Sequence, residues 1–235
     1  MTQFHKKNPL GFALMWIGIY VVSLSLADAL SQSLGVEKLL TAPLCLALTA
    51  FLFCWVKRQA LLETYGLAHS ASRLRPWKDY WPLLLIISTN LWGGVALQYS
   101  VPETLLYVLS MLCVGFLEEL IFRGFLFRAL CRDSIRSAIL ISSVTFGMGH
   151  IINLFNGAEL LPTLLQLCYA TAAGFLFTVM VYRWGSLWPC IMTHSLLNAL
   201  GAVAAPQLPS MELITAAVLT VVALAYALWI WNQSE

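Results

Sequence analysis

Along this chain the apolar positions run together rather than alternating with polar ones, and the runs recur at the length a helix needs to cross a hydrocarbon core, about 20 residues for ~30 Å. Hydropathy and helix length place candidate spans at residues 10–30, 39–56, 80–98, 104–127, 136–153, 160–182, 186–204 and 211–231. The pattern predicts an all-α fold, a polytopic membrane helix bundle of about eight transmembrane helices, forming a single transmembrane domain over residues 1–235. The first run follows Lys6 and Lys7 but is too long for a signal-peptide core and lacks a small-residue cleavage site, so it is expected to be a retained helix.

Composition agrees. Of the 235 residues, 60% are hydrophobic and 10% charged, against roughly 25% charged in a soluble domain. A soluble bundle could not bury so much apolar surface.

The sparse charges then choose a side. With a cytoplasmic N-terminus, Lys6, Lys7, Lys57, Arg58, Arg73, Arg75, Lys78, Arg128, Arg132, Arg136 and Arg183 fall on the cytoplasmic face, and Lys38 alone on the other. Eleven against one is a positive-inside signal; it predicts cytoplasmic N- and C-termini and an even number of spans in a cell (inner) membrane. The net charge of +2 needs no nucleic acid, since the bilayer itself is a sufficient partner for the basic residues.

Other polar features change the picture less. Segment 57–79 mixes basic residues with Leu62, Tyr65, Leu67, Leu74 and Trp77, as an amphipathic piece at the interface would. Trp16, Trp77, Trp81, Trp184, Trp188, Trp229 and Trp231 fall near predicted helix ends and read as interfacial anchors. Cys45, Cys54, Cys113, Cys131, Cys168 and Cys190 lack paired spacing and read as free buried thiols, with neither a disulfide nor a metal cluster. His5 and His69 read as solvated surface residues, Asp28 as close to water at one end of its span, and Asn90 as a helix-packing contact.

The chemistry-bearing residues lie deep. Charged groups at a helix centre cost at least about 2.5–3.5 kcal/mol, so their presence there is a functional signal. Glu118, Glu119 and Arg123 occupy one span, His150 the next, and His194 with Asn198 a third. Glu119 and Arg123 are four residues apart and share a face, whereas Glu118 is rotated away from both. At ~1.5 Å per residue, Glu118, His150 and His194 lie roughly 15, 20 and 12 Å from one membrane boundary, near a common level. A carboxylate, two histidines and an amide at one depth make a hydrolytic set. Glu118 could take a proton from water, His150 orient that water or protonate a leaving amine, and His194 and Asn198 donate to an oxyanion.

Three ordered motifs carry a resemblance: "EELIFR" at 118–123, "FGMGH" at 146–150 and "HSLLN" at 194–198, with "RWGSLWPCIMTH" before the last. This set resembles the CPBP family of intramembrane endopeptidases, also called the ABI or CAAX-protease-and-bacteriocin-processing family, over residues 104–204. That segment is the expected catalytic core. The resemblance implies an endopeptidase in which Glu118 activates water, His150, His194 and Asn198 line the site, and Glu119, Arg123 and Asn153 support it. The substrate would be a membrane-associated protein or peptide, and the protein a compact member of bacterial type. A metal-free glutamate mechanism is the favoured expectation. The alternative is one divalent ion such as zinc held by Glu118, His150 and His194, without an HExxH motif. A proton-coupled transporter and a non-catalytic immunity factor or scaffold are the competing functions; the Gly93-Gly94 pair is the one candidate helix break.

Overall fold

Proline and capping residues set where the helices begin. The computed structural model describes residues 1–68 and 75–233, so His69, Arg73 and Leu74 lie outside the described residues. The elements are α1 (Thr2–Lys7), α2 (Pro9–Ser33), α3 (Thr41–Arg58), α4 (Trp81–Ser88), α5 (Val101–Glu119), a π-helical segment (Leu120–Phe127), α6 (Arg128–Leu130), α7 (Ile135–Gly149), α8 (Ile152–Phe155), α9 (Leu160–Trp184), α10 (Trp188–Leu200) and α11 (Pro209–Trp231). Asn8 caps α2 through the Gly11 amide, Ser100 and Glu103 form a reciprocal capping box at α5, and Gly185, at φ +68°, closes α9 in the left-handed conformation.

Among the described residues six helices are long and apolar enough to cross a membrane: Pro9–Ser33, Thr41–Arg58, Val101–Leu130, Ile135–Phe155, Leu160–Trp184 and Pro209–Trp231. Leu14, Val22, Leu26, Leu140 and Val221 are exposed on their outer surfaces, as lipid-facing side chains would be. The other two expected spans are shorter helices. α4 has 8 residues and α10 has 13, about 12 and 20 Å long. Span 80–98 breaks at the glycine pair, where Gly94 adopts φ +102°. Span 186–204 passes into a 3-10 turn at Gly201–Val203. The two broken ends satisfy each other: Ala96 N donates to Val203 O at 2.9 Å, Ala205 N to Gly94 O at 3.0 Å, and Gln98 Nε2 to Ala204 O at 2.5 Å. Irregular backbone at this depth is tolerable because its polar groups find protein partners.

Some sequence expectations need correction. All six cysteines are free, but only Cys45, Cys113 and Cys190 are buried. Trp16 and Trp184 pack inside the bundle, unlike exposed Trp77 and Trp81. Tyr65 and Leu67 of segment 57–79 are also buried. His5 is half-buried and hydrogen-bonds through Nε2 with Tyr65 Oη at 2.6 Å.

Candidate active site

Close helix approach brings the three motifs together. α5 meets α10 at Gly115, where a Cβ would stand 2.2 Å from Ser195 Oγ. Ser195 instead donates to Leu112 O at 3.0 Å. α9 leaves room for the first motif at Gly174, where a Cβ would lie 3.1 Å from Arg123 Nη2. Small residues at helix contacts let backbones approach, as membrane bundles require.

Glu118 and Glu119 close α5 immediately before the backbone widens into the π-helical segment, and their side chains diverge. Glu119 and Arg123 are fully buried, and Arg123 Nη1 donates to Glu119 Oε1 at 3.0 Å. The Arg123 guanidinium stands 4.1 Å from the Phe146 ring centre. His194 Nδ1 approaches the same Glu119 oxygen at 2.8 Å, so this carboxylate has two cationic or polar partners where the helical phase predicted one.

Glu118 turns the other way. Its Oε1 accepts from Tyr20 Oη at 2.6 Å. Its Oε2 lies 3.4 Å from His194 Nε2 but is buried and has no hydrogen-bond partner among the described residues. His194 therefore spans both carboxylates, one nitrogen to each.

His150 caps α7 rather than sitting inside it, and its Nδ1 is 3.2 Å from Phe146 O. A carbonyl only accepts, so Nδ1 carries a proton and donates in this contact. The Phe146 ring stands edge-on to both histidines, 5.3 Å from His150 and 5.7 Å from His194. A cavity of about 470 Å³ is lined by Glu118, His150, Asn153, Asn198, Tyr20 and Asp28, among others. His194 lines a smaller adjoining cavity of about 90 Å³, with His150 and Asn198 common to both. Asn153 donates to Gln166 Oε1 at 2.8 Å, and Asn90 to Leu197 O at 2.5 Å.

Four lining residues were not singled out from sequence, or were set aside. Tyr20, Gln166, Asp28 and Asn90 all face the main cavity. The available signal was a polar group inside an apolar run, a phenol in "GIYVVS" and an amide in "LLQLC".

As arranged, the residues do not fit a metal. Among the described residues no group of three His, Cys, Asp or Glu side chains is placed to hold an ion. No step below is routed through one.

Comparison with known proteins is consistent with the geometry. Residues 100–200 match the family model described as "Type II CAAX prenyl endopeptidase Rce1-like". No curated protein and no solved structure matches. The segment that bears Glu118, His150 and His194 is thus similar to the CAAX-protease family, and it is set in a multi-pass membrane protein.

Proposed function

We propose that this protein is an intramembrane glutamic endopeptidase that hydrolyses a peptide bond of a membrane-associated protein or peptide, with residues 104–204 as its catalytic core. The observation that carries the proposal is Glu118 Oε2, a buried acceptor without a hydrogen-bond partner among the described residues, on a residue that lines the main cavity. A carboxylate oxygen that keeps a free lone pair and faces a cavity lined by polar side chains is poised to accept a proton from water.

Tyr20 fixes the other oxygen, so the free one keeps its aim. In this reading Glu118 Oε2 takes one proton from a water molecule as the water oxygen attacks the substrate carbonyl carbon. The C=O electron pair moves onto oxygen, which receives hydrogen bonds from Asn198 Nδ2 and, when both its nitrogens are protonated, from His194 Nε2–H. Glu119 accepts Nδ1–H and supports that doubly protonated form. The tetrahedral species then collapses. The C–N bond breaks and its electron pair leaves with the amine, which takes the proton Glu118 had accepted, directly or through His150. Preorganised donors at the developing oxyanion would contribute about 2.7–4 kcal/mol each.

The basic residues support a cytoplasmic N-terminus and C-terminus in a bacterial-type cell membrane, and no metal or other cofactor is needed in this reading. The family description suggests a prenylated CAAX-type tail as the first substrate to try. The full chain in vesicles should cleave such a peptide, and Glu118→Gln should not. Comparing peptide ends in membranes carrying the two forms covers other substrates. Full cleavage by a folded Glu118→Gln variant would refute the assignment.

A further inference from the structure

A separate cavity of about 320 Å³ lies at the end of the bundle where α1, the segment after α3 and the end of the α5–α6 helix meet. His5, Lys6, Thr64, Tyr65, Arg128 and Arg132 line it, and among the described residues no carboxylate does. Lys6, Arg128 and Arg132 give it three positive charges. Arg128 Nε is buried and has no hydrogen-bond partner among the described residues. A guanidinium N–H withdrawn from water with nothing to donate to is unfavourable. In a cavity walled by cations, the partner it lacks is an anion.

The remaining groups suit a tetrahedral oxyanion. His5 Nε2 lies 2.6 Å from Tyr65 Oη, and this contact fixes the ring at the cavity wall. Burial, then Arg132 and Lys6, push His5 below the ordinary imidazole value, so the ring contributes polar surface and no charge of its own. Two guanidinium groups present forked donors, the ammonium a point charge and Thr64 a hydroxyl, all of which match phosphate oxygens. Pro9 and Phe125 form the apolar part of the wall. The cavity sits where one apolar helix starts, at Pro9, and another ends, at Leu130. That is the level at which lipid phosphates lie.

We propose that His5, Lys6, Thr64, Arg128 and Arg132 form a binding site for a phosphate group at the membrane boundary. A lipid headgroup and a free phosphate are the two sources of that chemistry. The site is independent of the peptidase reading, because it shares no residue with the main cavity.

The test uses the full chain in an uncharged detergent, with native mass spectrometry of lipid retained from mixed phosphatidylglycerol and phosphatidylcholine micelles. The wild type should retain phosphatidylglycerol in preference. Arg128→Gln and Arg132→Gln should each weaken retention by about tenfold. Arg132 is exposed, so its variant remains informative if Arg128→Gln folds poorly. Arg136→Gln, outside the cavity, should retain lipid as the wild type does. Displacement by added inorganic phosphate supports a site open to the free ion; resistance to it supports a lipid headgroup. Retention unchanged in Arg132→Gln, or lost equally in Arg136→Gln, would overturn the proposal.

Discussion

Two charged clusters inside this bundle obey different rules. At one end of the main cavity, Asp28 accepts from Lys38 at 2.9 Å and Thr41 at 2.5 Å, and the Asp28 side chain keeps 30% exposure. In the first motif, Glu119 and Arg123 side chains have no exposure, and Glu118 Oε2, Glu119 Oε2, Arg123 Nε and Arg123 Nη2 are buried with no hydrogen-bond partner among the described residues. Lys38 adopts φ +57°, a strained value for a lysine; burial lowers its proton affinity, but the hydrogen bond and charge of Asp28 together with Glu37 raise it on balance. The outer cluster is satisfied locally and touches water. The inner one keeps hydrogen-bonding capacity that no described residue fills, next to the proposed base Glu118.

That contrast can be broken in steps. Arg123→Met should have the largest effect on stability, about 3–5 kcal/mol, because it leaves Glu119 buried without its guanidinium; thermal unfolding in detergent measures it. Asn198→Ala should lower kcat by roughly 10²–10³-fold, the equivalent of one lost oxyanion donor, with little change in unfolding temperature. Tyr20→Phe removes a hydrogen bond to a carboxylate worth about 1.5–3 kcal/mol. It should slow cleavage and shift the pH profile of kcat while the fold persists. Asp28→Asn, at the partly exposed cluster, should change stability by only about 0–1 kcal/mol. If Asp28→Asn destabilised as much as Arg123→Met, the distinction between the clusters would fail.

Much of this was legible in the sequence because membrane insertion simplifies the signal. Runs of about 20 apolar residues identify crossing segments, and a rare charge within one marks a site. The Glu119–Arg123 pair follows from a four-residue spacing, which survives the π-helical segment that begins at Leu120. What failed has physical reasons. Hydropathy counts apolar residues and not helix length, so α4 and α10 read as full spans although Gly93-Gly94 and the Gly201 turn end their helices early. Tyr20 was overlooked because a single phenol hardly alters hydropathy, and its bond to Glu118 spans 98 positions. The placement of His194 between both carboxylates was equally out of reach, since helical phase orders residues within one helix and is silent about its neighbours.

The division of labour between the adjacent glutamates is the central claim, and one paired measurement tests it. Glu118→Gln and Glu119→Gln are reconstituted side by side, and cleavage and unfolding temperature are read on the same samples. We predict that Glu118→Gln unfolds like the wild type and does not cleave, and that Glu119→Gln unfolds at a lower temperature. Wild-type cleavage by Glu118→Gln, with Glu119→Gln folded normally and inactive, would contradict the account.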